Sequence, residues 1–259
     1  VLELPGYEAP WWLDAAAGES TEAPLAVAAA ELDATIDLTV WAPVGLEADR
    51  PAPLLVVHDG PEYVRLGAFT QYLGAAVAAG ELPPLRAALL APGDRNAWYS
   101  ANAAYSRALC EALLPALDEV APATVRVGVG ASLGGLAMLH AHRTYPDRFD
   151  GLLLQSGSFF TPALDAQESG FSGFAGVTEF VAATHAARCH ERPIPSVLTC
   201  GSVEENLANN QLMAATLRRL GYPARLVTVP DAHNYVAWRD ALDPHLTALV
   251  ADVVCARAS

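Results

Sequence analysis

The chain is poor in charge, and positive charge is the scarcer kind. Among 259 residues, Asp and Glu number 29 while Lys and Arg number 15, which gives a formal net charge of −14. Such an excess of negative charge repels nucleic acid and anionic membranes, so we expect neither as a partner. Charged residues make up 17% of the chain and hydrophobic residues 53%, a balance that favours a well-buried globular core and argues against disorder.

Sequence signals for zinc binding, export and membrane insertion are also missing. The four cysteines show no CxxC pair and no zinc-ligand spacing, so we expect free thiols and no metal, with one disulfide in an exported form as the alternative. No purely apolar run reaches the ~18 residues of a spanning helix. Residues 1–20 lack a basic segment followed by an apolar core, so we expect no signal peptide and a cytoplasmic protein.

Strand-like and helix-like segments alternate along the chain without repeats or linker-like blocks, so we expect a single domain over residues 1–259. Short apolar or alternating runs predict strands at 35–41, 53–58, 87–91, 125–130, 151–155, 194–200 and 224–229. Helical spacing predicts helices at 101–120, 133–145, 206–220 and about 235–256. This order is typical of an α/β protein with a mostly parallel sheet and helices on both faces. Residues 1–33 then form an N-terminal extension, and residues 161–192 a cap-like insertion with short helices.

The pattern G-x-S-x-G occurs once in a strand–turn–helix context, as Gly130-Ala131-Ser132-Leu133-Gly134. That context is the nucleophile elbow of α/β-hydrolases, in which a sharp turn lifts the serine hydroxyl above the sheet. Small flanking residues are needed because bulk there meets the neighbouring strand and helix. The turn also leaves the Leu133 amide at a helix N-terminus, where it can stabilise an oxyanion. The alternative is a glycine-rich turn with an idle serine.

A serine nucleophile needs a base, which in this fold comes late in the chain. His233 fits, because it lies in the loop between the last predicted strand and the last predicted helix. The six other histidines are better explained as surface or packing residues. The alternative for His233 itself is a loop histidine that caps the last helix.

The acid that orients the base is expected after the strand at 194–200. Two adjacent carboxylates, Glu204 and Glu205, are available there. If Glu204 is the acid, Glu205 is a first-turn glutamate favoured by the helix dipole. Asp231 is too close to His233 along the chain to be the usual acid.

A second oxyanion donor is expected in the loop after the strand at 53–58. Pro61 has no N–H, so the donor must be the amide of Gly60 or of Glu62, and the residues do not decide between them. Tyr63 follows in the same loop and is a candidate for substrate binding.

Further pocket residues are expected where two other strands end. Arg95, together with Asn96, Trp98 and Tyr99, follows the strand at 87–91 and can bind a polar or aromatic acyl group. A salt bridge is the alternative for Arg95. After the strand at 151–155, Phe159 and Phe160 are candidates for a pocket wall.

Taken together, the motifs resemble the enterochelin esterase branch of the esterase D-like family, from about Thr35 to the C-terminus. They are HDG with Tyr63, R-x-x-x-Y-S (95–100), GASLGG (130–135), QSGS (155–158), CGSVEENLxxN (200–210) and DAHNYxxWRDxL (231–242). The resemblance implies an α/β-hydrolase-fold serine esterase with no metal or organic cofactor, and it places Glu204 at the acid position. Enterochelin esterases usually carry an N-terminal sandwich domain, for which residues 1–33 are too short, so "enterochelin esterase-like" is the safer description.

These expectations combine into one leading hypothesis and two alternatives. The leading one is hydrolysis of a small carboxylic ester through an acyl-enzyme on Ser132. The first alternative is an acyltransferase that passes the acyl group to an alcohol with the same three residues. The second is a non-catalytic binding protein with a hydrolase fold, which the presence of Ser132, Glu204 and His233 together argues against.

Overall fold

A computed structural model describes residues 6–258, the side chain of Ala258 excepted, and its centre is one eight-stranded sheet. The strands are β1 (Ser20–Ala29), β2 (Ala34–Pro43), β3 (Ala52–Val57), β4 (Arg86–Leu90), β5 (Ala123–Ala131), β6 (Gly151–Gln155), β7 (Ser196–Gly201) and β8 (Ala224–Val229). Their order across the sheet is β1-β2-β4-β3-β5-β6-β7-β8. Pairs β1–β2 and β2–β4 are antiparallel, and the other five are parallel.

Helices cover both faces of the sheet. They are α1 (Gly60–Gly67), α2 (Phe69–Ala78), α3 (Arg95–Tyr99), α4 (Ala103–Arg107), α5 (Leu114–Val120), α6 (Leu133–Thr144), α7 (Phe174–Ala186), α8 (Leu207–Arg219), α9 (Tyr235–Asp240) and α10 (His245–Ala258). A π-helical stretch, Ala108–Leu113, joins α4 to α5, and short 3₁₀ turns occupy Trp11–Leu13, Ala30–Leu32 and Ala166–Gly170. No helix within residues 6–258 is long and apolar enough to cross a membrane.

Strand β3 shows why the sheet needs covering on both sides. Leu54 and Val56 belong to the core beneath α4, α5, α6 and α8, whereas Leu55 and Val57 belong to the core beneath α1, α2, α9 and α10. Because side chains alternate between the two faces of a strand, a continuous apolar run is buried only between two helical layers. The expected α/β fold with a mostly parallel sheet is thus confirmed.

Three sequence-based expectations about the elements are wrong. The first strand is β1, within the segment interpreted as an extension, and not the strand at Thr35. The loop expected after β3 is the start of α1, which α2 follows. The single helix expected from 235 to 256 is two helices, because Pro244 has no N–H to continue a helix and the chain turns between α9 and α10.

The parallel strands all point their carboxyl ends at one edge of the sheet. Ser132 follows β5 there, Ser156 follows β6, and Glu204 and His233 lie in the loops that follow β7 and β8. The carboxyl edge of an α/β sheet is the usual place for ligand binding. Residues 161–192, interpreted as a cap-like insertion, hold the 3₁₀ turn at Ala166–Gly170 and helix α7, in line with the short helices expected there.

Candidate active site

Ser132 lies in the sharp turn between β5 and α6. Its φ of 56° and ψ of −125° are a backbone conformation that residues other than glycine rarely adopt. Gly130 permits the turn, because a Cβ there would lie 2.4 Å from the Gly134 carbonyl oxygen. The turn leaves the Leu133 amide in the first turn of α6, where helix amides lack intrahelical acceptors.

His58 supports this turn from beneath. Its Nδ1–H donates to the Gly134 carbonyl oxygen over 2.9 Å, and its Nε2 accepts from the Tyr105 hydroxyl over 2.8 Å. A carbonyl oxygen only accepts hydrogen bonds, which assigns the ring proton to Nδ1. Burial lowers the pKa of His58 to about 4, so the ring is neutral at pH 7. The interpretation of His58 as a packing histidine is confirmed.

His233 and Glu204 form a hydrogen-bonded pair at the same edge of the sheet. His233 Nδ1 lies 2.8 Å from Glu204 Oε2. The Glu204 side chain is 1% exposed and the His233 side chain 39%. Burial by itself raises the pKa of Glu204, but hydrogen bonds from His233, Ser156 and the Gly201 amide outweigh it and hold the pKa below its ordinary value. Glu204 is therefore a carboxylate at neutral pH, and its neighbour Glu205 is exposed.

Ser156 and the Gly201 amide hold the Glu204 carboxylate in place. Sequence reasoning missed the role of Ser156 and that of Trp238, which binds Ser156. Ser156 Oγ donates to Glu204 Oε1 over 2.7 Å, as does the Gly201 amide, and Ser156 Oγ accepts from Trp238 Nε1 over 2.9 Å. Ser156 is completely buried, so these bonds do not compete with water. The only available signal was that Ser156 and Trp238 fall inside the family-like motifs QSGS and NYxxW.

Tyr63 belongs to the support of the site and not to the pocket wall. It is 0% exposed, and its hydroxyl donates to Gln155 Oε1 over 2.7 Å. Gln155 Nε2 in turn donates to the Trp238 carbonyl oxygen over 2.9 Å. This corrects the prediction of Tyr63 as a substrate-binding residue, because its one polar atom is committed to the interior.

A cavity of about 320 Å³ lies beside Ser132, Leu133, Glu204 and His233. The other residues on its wall are Asn96, Ser158, Phe160, Glu168, Phe171, Glu205 and Asn206. The Ser132 hydroxyl lies 3.1 Å from Ser158 Oγ, and within residues 6–258 no hydrogen bond joins it to His233. Ser132 and His233 thus face the same cavity, but the Ser132 hydroxyl is directed at Ser158. In enzymes, hydrogen bonds between a nucleophile and its base are often long or unformed until substrate binds.

Arg95 forms the salt bridge that was the alternative to substrate binding. Its Nε and Nη2 lie 2.8 and 2.9 Å from the two carboxylate oxygens of Asp59, a paired geometry that arginine favours. Asp59 is 1% exposed, so it depends on Arg95 for its counter-charge. Arg95 does not line the cavity.

Trp98 and Phe159 are also placed off the cavity wall. Trp98 is 8% exposed and stacks on Tyr105 with ring centroids 5.7 Å apart, and Phe159 is 0% exposed. The prediction that they contact substrate is corrected in favour of residues next to them in the chain, Asn96 and Phe160, which do line the cavity. Both were considered from the sequence, but spacing alone does not say which neighbour faces inward.

Gly60 and Glu62 occupy the first turn of α1, whose start packs beside the start of α6. A Cβ on Gly134 would lie 3.2 Å from Asp59 Oδ2, and a Cβ on Gly60 would lie 2.4 Å from the Leu89 backbone. Neither Gly60 nor Glu62 is on the cavity wall. Their assignment as second oxyanion donor remains a prediction.

The mostly parallel sheet, the serine in a strained turn and the His–Glu pair at the carboxyl edge define an α/β-hydrolase fold. Solved structures agree: the ferric enterobactin esterase of Salmonella typhimurium gives a TM-score of 0.82 at 24% identity, covering 98% of this chain and 64% of that one. An enterobactin esterase of Shigella flexneri gives 0.79 at 22% identity, with 98% and 65% covered. At such identities the likeness shows the fold alone.

The chain belongs to the esterase family described as "Putative esterase", whose family model matches residues 29–249. The iron(III) enterobactin esterase of Dickeya dadantii (strain 3937) is 30% identical over 207 residues, which are 75% of this chain and 47% of that protein. That of Escherichia coli (strain K12) is 27% identical over 198 residues, 73% and 48% of the two chains. The chain spans about half the length of these curated relatives. The resemblance stated from the motifs is thereby confirmed.

Proposed function

We propose that the protein is a carboxylic ester hydrolase that works through an acyl-enzyme on Ser132. The observation that carries this proposal is that Ser132 and His233 face one cavity while His233 Nδ1 lies 2.8 Å from the buried Glu204 carboxylate. A strained serine, a paired imidazole and a buried acid on three separate loops are the parts that activate a hydroxyl. The esterase family of the chain and the names of its relatives support an ester as the bond that is cleaved.

In the proposed first step, Ser132 Oγ turns from Ser158 toward His233 and attacks the ester carbonyl carbon. His233 donates its Nδ1–H to Glu204, so Nε2 is unprotonated and takes the Ser132 proton. The protonated His233 is stabilised by the Glu204 carboxylate, and it then passes the proton to the departing alcohol. The product of this half-reaction is an ester of Ser132 with the acyl group.

The negative charge that develops on the carbonyl oxygen needs donors fixed beforehand. The Leu133 amide is the first, because it lies at the N-terminus of α6 next to Ser132. We propose the second from the first turn of α1, as the amide of Gly60 or of Glu62. Removing one such donor typically lowers kcat by about 10²–10³-fold.

Water completes the reaction in the proposed second half. His233 Nε2 removes a proton from water as the water oxygen attacks the acyl carbonyl carbon, and the proton returns to Ser132 Oγ as the acid leaves. The relatives are named as iron(III) enterobactin esterases, so iron(III) enterobactin is one ester to screen. Because the chain spans about half of their length, we propose a general ester hydrolase and leave the ester open.

A fluorophosphonate probe tests the proposal directly, with the labelled peptide identified by mass spectrometry. We expect labelling at Ser132 in the wild type and in Ser20→Ala, a matched change of an exposed serine on β1, and none in Ser132→Ala. His233→Ala should slow hydrolysis of p-nitrophenyl acetate by about 10²–10⁴-fold, the usual contribution of a general base. Folded wild-type protein that does not label, or Ser132→Ala that keeps its activity, would overturn the proposal.

A further inference from the structure

The cavity at Ser132 has negative charge on its wall and no positive charge. Glu168 and Glu205 line it, in addition to the Glu204 that binds His233. The chain contains no lysine, so arginine supplies all of its permanent positive charge. None of the arginines within residues 6–258 is on the cavity wall, and Arg95, beside Asn96 in the chain, is neutralised by Asp59.

The cavity wall also carries an amide oxygen, which like the carboxylates accepts hydrogen bonds. Asn206 lines the cavity and is 6% exposed. Its Nδ2 donates to the Ser156 carbonyl oxygen over 3.4 Å, which assigns the other amide atom as an oxygen. Within residues 6–258 no donor is bonded to that Oδ1. Oδ1 lies on the cavity wall and is free to accept, so it favours a ligand that brings an N–H or a positive charge.

Two aromatic rings complete the wall. Phe160, which is 8% exposed, and the half-buried Phe171 both line the cavity. The face of an aromatic ring is negative, and rings combined with carboxylates are the usual surroundings of bound ammonium groups. The net charge of −14 acts in the same direction over longer distances, because it attracts cations to the surface and repels anions.

We propose that this site selects esters that carry an ammonium group, and that Glu168 and Glu205 provide the selection. The proposal rests on the function proposed above, since it names the substrate class of the same cavity. The proposal predicts that anionic ligands are disfavoured. One example is 2,3-dihydroxy-N-benzoyl-serine, which carries a carboxylate and was present with an enterobactin esterase of Shigella flexneri. That compound should bind poorly to a cavity walled by carboxylates.

Three butyrate esters of similar size and different charge test the proposal. They are butyrylcholine, its uncharged carbon analogue 3,3-dimethylbutyl butyrate, and the butyrate ester of hydroxypivalate, which is an anion. For two carboxylates near a partly exposed ligand we expect kcat/KM for the cation to exceed that for the neutral ester by about tenfold. The preference should fall when ionic strength is raised to about 0.5 M, because salt screens exposed charges.

Charge-neutral variants locate the source of the preference. Glu168→Gln and Glu205→Gln should each lower the ratio of cation to neutral ester by about threefold, and the double variant should bring it near one. Glu119→Gln is the matched control, because Glu119 is exposed on α5, which precedes β5 and so lies at the opposite edge of the sheet from Ser132. We expect it to leave both rates unchanged.

The outcomes separate this proposal from the proposed function. A neutral ester that is hydrolysed through Ser132 with no preference for the cation, or with the anion preferred, overturns the charge selection alone. If no ester is hydrolysed, the proposed function fails, and calorimetric binding of the same three esters to Ser132→Ala still decides the charge selection. Equal affinities for the cation and its neutral analogue would then overturn it.

Discussion

Ser156→Ala is the most informative single change, because Ser156 joins the Glu204 carboxylate to α9. Its hydroxyl donates to Glu204 Oε1 over 2.7 Å and accepts from Trp238 Nε1 over 2.9 Å. Ser156 has a positive φ of 48°, which alanine tolerates no worse than serine. The substitution therefore removes two hydrogen bonds without adding backbone strain.

The expected loss of stability follows from those two bonds. A hydrogen bond to a charged acceptor contributes about 1.5–3 kcal/mol, and a buried donor left without a partner, here Trp238 Nε1, costs about 1–3 kcal/mol. Since the two losses share one hydroxyl and overlap, we expect a fall of about 3 kcal/mol in the free energy of unfolding. For a chain of this length that corresponds to a Tm lower by about 6–12 °C.

The difference between wild type and Ser156→Ala should also depend on pH. The folded-state pKa of Glu204 is lowered, so its contribution is complete above the unfolded glutamate pKa of about 4.3 and is lost as the pH falls through the folded value. Ser156→Ala removes one cause of that lowering. The gap in stability is therefore widest at neutral pH and narrows below about pH 4, down to the part due to Trp238.

Ser196→Ala is the matched control for both effects. Ser196 is buried at the start of β7, at the opposite edge of the sheet, and its hydroxyl donates to a neutral acceptor, the Ile194 carbonyl oxygen, over 3.1 Å. We expect a loss of about 1 kcal/mol that does not change with pH. Thermal unfolding of the three proteins between about pH 2 and pH 8 is the measurement, because the gap is expected to narrow only below about pH 4. Equal losses in the two variants, or a gap for Ser156→Ala that is flat with pH, would refute the reasoning.

Three other predictions concern single side chains. Ser158→Ala should speed fluorophosphonate labelling of Ser132 by up to about fivefold, because it removes a partner worth about 1 kcal/mol that competes with His233; slower labelling would mean that Ser158 assists the attack. Burial lowers the pKa of His142 to about 3, so protonation favours the unfolded chain as the pH falls below about 6.5. His142→Leu should therefore be about 2 kcal/mol more stable relative to wild type at pH 5 than at pH 8, and denaturant unfolding that shows no such shift would contradict this. Arg95→Ala leaves the buried Asp59 without its partner and should lower the Tm with little effect on KM, whereas a raised KM at unchanged Tm would restore the substrate-binding interpretation.

Much of the sheet could be predicted because its strands are buried on both faces. The apolar runs at β3, β4, β6 and β7 leave little choice of structure. Strand β1 was not predicted because it is an edge strand whose first five residues are all exposed. It therefore shows neither a continuous run of apolar residues nor an alternation of apolar and polar residues. Pro244 indicated the break between α9 and α10, but the helical spacing of apolar residues was followed instead and predicted one continuous helix.

The candidate site also has a part that could be predicted from the sequence and a part that could not. Ser132, Glu204 and His233 could be placed because chain order and the strand ends fix which loops meet. The sequence could not predict which side chains face the cavity. Phe159 and Phe160 are adjacent in the chain, yet Phe159 is buried in the core and Phe160 lines the cavity. The partnership of Ser156 with Trp238 depends on the packing of α9 against β6, which no local pattern encodes.

The attachment of α9 to the site has a consequence for the order in which the protein is synthesised. The nucleophile turn emerges from the ribosome long before His233 and Trp238, and Ser156 has neither of its side-chain partners until β7 and α9 have followed. Under the proposed mechanism, a nascent or truncated chain that ends before β8 contains Ser132 but lacks the base that would activate it. We expect such a fragment not to hydrolyse esters, because the proposed base is added only with the last elements of the fold.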